Sequence, residues 1–171
     1  RAGSGKGPKL VVSAHLDTVF PEGTDVSPKW IAGKVYAPGI SDDGRGLAVL
    51  LTLLRALNHS NIKTIGDLLF VATVGEEGLG DLRGVKALFQ ERTDIDGFIS
   101  IEPGEPNRTT YLATGSRRYR VTFRGPGGHS FGNFGTPSAI HALGRAVAKI
   151  SDIKTLSQPR TTFNIGTIEG G

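Results

Sequence analysis

Cysteine is absent from the 171-residue chain. That excludes disulfides, thiolate-ligated zinc and a thiol nucleophile together, so any metal must be held by histidine, aspartate and glutamate. Methionine is absent too, even at the first position. The chain opens on Arg1 and closes on Gly170 and Gly171, which reads as a piece excised from a longer protein. No apolar run approaches the ~20 residues that span a bilayer, and no signal-peptide pattern opens the chain; the expectation is a cytoplasmic protein without a membrane partner. Strong charge of either sign is also missing. With 20 basic against 16 acidic residues, the formal charge of +4 is accounted for by solvated surface rather than by a nucleic acid.

The residues present pattern as an α/β chain. Leu10 to Leu16 is a short apolar run ending in polar residues, the mark of a buried strand entering a loop. Lys29 to Tyr36 reads as a hairpin turning at Gly33. From about Gly46 to Asn58 a helix carries Leu47, Leu50, Leu51, Leu54 and Leu57 on one face and Val49, Leu53 and Ala56 on the others, so it is expected to be covered nearly all round. Asp67 to Val74 is a second buried strand, Leu82 to Arg92 a second helix, and Gly97 to Ile101 a third strand. This alternation predicts a mostly parallel sheet covered by helices, with ligands beyond the carboxyl ends of its strands.

Near Gly115 the pattern changes. Arg118, Arg120, Thr122 and Arg124 alternate with Tyr119, Val121 and Phe123, which predicts a half-buried strand. A Gly-rich loop follows, then a helix opened by Thr136 as N-cap and Pro137 as first residue, and a last strand over Thr161 to Glu169. The expected division is a catalytic part over 1–114 and the first part of a smaller α+β domain over 115–171, its remainder lying beyond Gly171.

The chemistry-bearing residues cluster at strand ends. His15 and Asp17, Asp42 and Asp43, Glu76 and Glu77, and Glu102 each fall at or just past one, in a chain with 4 histidines. Any one alone is ordinary loop polarity; four together point to a metal site. Zinc takes imidazole and carboxylate ligands at ~2.0–2.2 Å and keeps a position open for water when it is catalytic. His15 and Asp17, two apart, share one side of an extended segment, so that the carboxylate could fix the ligating tautomer of the ring. Asp42 could bridge two ions, and adjacent Glu76 and Glu77 could point one to metal and one to water.

Five ordered blocks carry a resemblance: Ser13 to Val19 (SAHLDTV), Pro38 to Gly44 (PGISDDG), Gly75 to Gly78 (GEEG), Ile101 to Pro103 (IEP) and Gly127 to Ser130 (GGHS). Together they resemble the signature of the zinc metallopeptidase and deacylase family that contains acetylornithine deacetylase, succinyl-diaminopimelate desuccinylase, carboxypeptidase G, aminoacylase and peptidase T. The resemblance implies a two-zinc exopeptidase-like fold with a lid and dimerisation domain. Two zinc ions, with cobalt or manganese as substitutes, would be held by His15 and Glu102 on one side and Glu77 on the other, with Asp42 bridging. It further implies Asp17 as the partner of His15, Glu76 as general base, a cis bond between Asp42 and Asp43, and His129 as a lid histidine reaching a neighbouring subunit's active site in a homodimer. The implied activity is hydrolysis of amide bonds in peptides or N-acyl amino acids.

The sequence departs from that pattern in two places. Gly75 stands where the family commonly has Asp before its carboxylate pair, and no residue here stands for the family's last histidine ligand, so the piece by itself is expected to be inactive. The alternative function is a non-catalytic binding or dimerisation relative that keeps the fold; Glu76, which has no structural use in the pattern, favours the enzyme. The remaining motifs have plainer readings. Gly3 to Lys6 lacks the Ser or Thr of a phosphate loop and reads as a flexible connection. Asp94 to Gly97 lacks the closing Glu of a calcium loop and reads as a turn. His59 and His141 carry no assigned role.

Overall fold

The computed structural model describes residues 1–171 as two compact units, Arg1–Arg108 and Thr109–Gly171. The first is built on a three-stranded parallel sheet. Its strands are β1 (Leu10–His15), β4 (Leu68–Thr73) and β5 (Gly97–Ser100), in the spatial order β4-β1-β5. Between β1 and β4 in sequence come a short antiparallel hairpin, β2 (Lys29–Ile31) and β3 (Lys34–Tyr36), turning at Ala32 and Gly33, and the helix α1 (Arg45–His59). The helix α2 (Arg83–Glu91) links β4 to β5.

β1 is the centre of this unit. Its residues Val11, Val12 and Ala14 are buried and, being paired on both sides, it reads as a continuous apolar run rather than an alternating one. Register runs from Leu10 opposite Leu68 to His15 opposite Thr73 on one side, and from Leu10 opposite Gly97 to Ser13 opposite Ser100 on the other. One further rung extends each pairing: Leu16 N donates to Thr73 O at 2.9 Å and Ile101 N to Ser13 O at 2.8 Å. Because the chain passes from β1 to β4 on one side and then to β5 on the other, the strand order reverses at β1. In an open α/β sheet that reversal opens a crevice beyond the carboxyl end of the central strand. His15 is the last residue of that strand.

The helices cover less than their composition implies. α1 packs on β1 and β4 and buries Leu50 and Gly46, yet Val49, Leu51 and Leu53 stay exposed. The expectation of an all-round covered helix is therefore corrected. Three strands ~4.8 Å apart present a face about 10 Å wide, which meets one side of a helix of similar diameter and no more. α2 meets the sheet through Phe89, whose ring stands 5.8 Å from that of Phe98 on β5, tilted at 46°. The start of the chain is anchored rather than free, against expectation. Gly3 N donates to Asp67 Oδ1 at 2.8 Å and Ser4 N to Thr64 O at 3.0 Å.

The second unit contains one regular element, the helix α3 (Ala139–Ser151). Its N-cap is Ser138, whose Oγ accepts from His141 N at 3.2 Å, and not Thr136. Pro137 consequently sits one residue before the cap instead of inside the first turn. The strands expected over 118–124 and 161–169 form no ladder. Alternation marks which side chains share a face, but a strand exists only where a second chain segment takes its backbone hydrogen bonds, and these two segments find none.

Leu50 is the one large side chain by which α1 enters the core, at 5% exposure, whereas its neighbour Leu51 is 54% exposed. Leu50→Ala is expected to lower unfolding free energy by about 2–3 kcal/mol, toward the low end for buried leucines. Leu51→Ala should stay within about 0.5 kcal/mol. Urea denaturation of the two variants beside the parent measures the contrast, and equal losses would show that α1 is seated on a different face.

Candidate metal centre

The carboxyl end of the sheet gathers four loops. β1 leads into His15 and Asp17, the turn before α1 carries Asp42 and Asp43, β4 leads into Glu76 and Glu77, and β5 leads into Glu102. Parallel pairing sends every strand out at the same edge, so residues far apart in sequence meet there.

His15 is the hub, 1% exposed. A carbonyl oxygen can only accept, and Asp17 O lies 2.8 Å from Nδ1, so Nδ1 carries a proton and Nε2 faces the cluster. Around Nε2 stand Asp42 Oδ1 at 2.8 Å, Glu102 Oε2 at 3.7 Å and Glu76 Oε2 at 4.0 Å. His15, Glu76 and Glu77 each bring a ligand atom within 4.8 Å of one another, and so do His15, Asp43 and Glu102. Ligand atoms around one tetrahedral zinc lie about 3.3–3.6 Å apart. The spacings at Nε2 bracket that value, and one imidazole with several carboxylates is a donor set that suits zinc, cobalt or manganese. These residues could therefore hold a divalent ion.

The two adjacent aspartates divide their work, and the peptide bond between them is cis. Asp42 faces His15 Nε2. Asp43 is buried, and its carboxylate accepts from two backbone amides: His15 N at 3.1 Å and Gly46 N at 3.0 Å. Asp43 falls inside a possible ligand group, and through these two amides it braces the end of β1 against the start of α1. Gly46 is required by that brace, because a Cβ there would stand 2.1 Å from Asp43 Oδ1. Sequence reasoning placed Asp43 in the cluster beside Asp42 but gave it no role. The available signal was its place three residues before an amide of the first helical turn, where a carboxylate caps. Ser100 was missed. Its hydroxyl donates to Glu102 Oε1 at 2.8 Å and so turns that side chain from two residues upstream.

Asp17 differs from expectation. Its carboxylate lies 3.8 Å from His15 Nδ1, while its backbone carbonyl is the partner of the ring. The carboxylate turns instead toward the loop after β4, where it accepts from Gly75 N at 2.8 Å, Glu76 N at 3.3 Å and Glu77 N at 2.9 Å.

Electrostatics follow from this packing. Burial works against a charged imidazole at His15, but the Asp17 carbonyl and the carboxylates of Asp42, Glu102 and Asp43 outweigh it and raise its pKa. For Asp17 burial likewise favours the neutral acid, and the amides of Glu77, Glu76, Gly75 and Asp17 itself reverse the balance, holding its pKa below the usual value. Burial dominates at Asp43 and Glu102, raising both; at Glu102 the nearby Glu76 and Asp43 add to the effect while Ser100 and His15 oppose it.

His129 belongs to the second unit and is exposed. Its backbone N donates to Asn133 Oδ1 at 2.9 Å, and its Nδ1 accepts from Phe131 N at 3.3 Å and Gly132 N at 3.2 Å.

Comparison with known proteins meets this geometry from the other side. The pattern of Peptidase family M20/M25/M40 matches residues 11–167. A peptidase M20 domain-containing protein of Schizosaccharomyces pombe is 32% identical over 179 residues, covering 99% of this chain and 42% of the relative. A probable succinyl-diaminopimelate desuccinylase of Staphylococcus aureus is 32% identical over 147 residues, 80% of this chain and 35% of the relative. Carboxypeptidase G2 of a Pseudomonas species is 35% identical over 100 residues, 57% and 24% of the two chains. The chain thus spans less than half the length of these relatives. With a match that runs through the sheet, its carboxyl-edge loops and α3, the chain belongs to the peptidase family M20/M25/M40.

Proposed function

We propose that this chain carries the metal-binding part of a hydrolase that cleaves amide bonds in peptides or N-acyl amino acids. The reading rests above all on His15, buried at the carboxyl end of the central parallel strand, with the carboxylates of Asp42, Glu102 and Glu76 all within 4.0 Å of its Nε2. Family membership supports the class of reaction, and relatives named as a carboxypeptidase and a desuccinylase support the class of bond.

In this reading His15, Asp42 and Glu102 would hold one zinc ion, and Glu77 with Asp42 would hold a second. Bound divalent ions supply Lewis acidity, lowering the pKa of water and polarising an amide carbonyl. The chain's own residues do the rest. Glu76, a neighbour of the ligand Glu77 with no hydrogen bond to its own carboxylate that would commit it elsewhere, takes the proton from the attacking water and returns it to the departing amine. The Asp17 carbonyl accepts from His15 Nδ1 and so keeps Nε2 free of its proton, turned toward the side where Asp42 Oδ1 also stands. His129 uses Nδ1 as an acceptor of two amides, which leaves the proton on Nε2, a donor suited to a developing oxyanion. We assign that donor to the active site of a second subunit in a homodimer formed through the lid.

Glu76→Gln in the whole protein is expected to leave metal content unchanged and lower amide-hydrolysis turnover by about 10²- to 10⁴-fold. Metal analysis alongside steady-state rates tests this, and near-normal turnover with metal bound would remove Glu76 as the base.

In this assignment the first ion has one imidazole and two carboxylates, whereas the second has only Glu77 and the shared Asp42, a poor zinc site without an imidazole, so zinc titration of this chain by calorimetry is expected to show one tight event followed by a much weaker one. His15→Ala should abolish the tight event. Two events of equal affinity, or a tight event that survives the substitution, would sink the ligand assignment.

A further inference from the structure

The Asp17 carboxylate takes three successive backbone amides from one loop. Beyond the last rung of the β1–β4 pairing, Leu16 N to Thr73 O, the two strands part, and the successive amides of Gly75, Glu76 and Glu77 have no ladder partner. Consecutive N–H groups in a turn converge into a concave anion site, and the positive φ of Gly75, 81°, makes that turn. Asp17 occupies the concavity with both oxygens: Oδ1 accepts from Gly75 and Glu76, and Oδ2 from Glu77.

The loop is held from its outer side as well. Leu82 N donates to Gly75 O at 2.7 Å and Gly80 N to Glu77 O at 2.9 Å, so the segment folds back on itself. A Cβ on Gly80 would lie 2.4 Å from Gly75 Cα, and one on Gly75 would lie 2.9 Å from Gly80 O. At Gly75 of this chain a side chain would crowd Arg83 and Gly80 in a backbone conformation, φ 81°, that favours glycine. Between the carboxylate within and the glycine contact without, the backbone at Glu76 and Glu77 has one conformation, and the directions in which their side chains leave it follow.

We propose that Asp17 is a positioning residue for Glu76 and Glu77, acting through their backbone amides, and that it orients the His15 ring only by its main-chain carbonyl. The proposal deepens the reading of Glu76 as base and Glu77 as ligand, and it makes a distinction that reading does not. If the Asp17 carboxylate served the His15 ring, removing its charge would disturb the imidazole. If it serves the loop, the same change disturbs the amides of Gly75, Glu76 and Glu77, while His15 Nδ1 keeps its proton and its bond to the Asp17 carbonyl.

Nuclear magnetic resonance on the isotope-labelled chain, without metal or substrate, separates the two. In the parent chain, scalar couplings through the hydrogen bonds are expected from the amide nitrogens of Gly75 and Glu77 to the Asp17 side-chain carboxyl carbon. In Asp17→Asn the side-chain amide must set a donor against at least one loop N–H, and amide exchange at Gly75, Glu76 and Glu77 should accelerate at least about tenfold, as the loss of a charge-assisted bond implies. The Leu16 amide, bonded to Thr73, should keep its rate, and His15 should keep the tautomer with its proton on Nδ1. Unchanged loop exchange, or a ring that moves its proton to Nε2, overturns the proposal. Should the variant fail to fold, the parent couplings decide alone, and their absence also overturns it. Neither readout involves turnover, so a failure here is distinct from a failure of Glu76→Gln to lose activity.

Discussion

The burial of a charged-type residue at the end of a central strand constrains everything else in the first unit. His15 is 1% exposed, and both ring nitrogens and its backbone amide must find partners there, because an unpaired polar group out of water costs on the order of 1–3 kcal/mol. The partners come from two segments of the chain. The backbone amide takes Asp43, Nδ1 takes the Asp17 carbonyl, and Nε2 faces Asp42. Satisfying one imidazole thereby ties the end of β1 to the turn before α1 and to the segment that follows β1.

That arrangement depends in turn on parallel pairing. In an antiparallel sheet the ends of neighbouring strands point opposite ways, and Asp17, Glu76 and Glu102 could not share an edge. With β4 and β5 both running alongside β1, the loops after all three emerge together, and the reversal of strand order at β1 leaves room between them. The supporting contacts are correspondingly local. Ser100 turns Glu102 from within the same strand end, Asp43 caps the first turn of α1 while bracing β1, and the loop of Glu76 and Glu77 closes over the Asp17 carboxylate.

Most of the sheet and the identity of the clustered residues were legible in the sequence because they follow from local rules. Apolar runs of strand length bounded by polar residues marked β1, β4 and β5, and leucines at helical spacing marked α1. The strand ends then placed His15, Glu76, Glu77 and Glu102 at one edge once the pairing was taken as parallel. Where the reading went further than local rules allow, it missed. Ser138 rather than Thr136 caps α3, because two neighbouring hydroxyl residues are equivalent to a pattern and only the backbone path decides which oxygen meets the amide of His141. The alternation over 118–124 has no ladder beside it, since periodicity belongs to one segment and pairing to two.

The sequence by itself determined the fold class and which residue types could carry metal chemistry: it has no thiol, so only imidazoles and carboxylates remain, and their placement after apolar runs follows from strand ends being where chains leave a sheet. Tertiary structure alone decided how the neighbouring acids divide their work. Asp42 and Asp43 are the same residue one position apart, yet one faces His15 Nε2 and the other is buried against the amides of His15 and Gly46. Asp17 is two residues from His15, yet its carboxylate serves a loop that lies close to sixty residues further along. Which acceptor a carboxylate finds depends on which N–H groups the folded backbone leaves unpaired, and that is settled only when distant strands are brought into register.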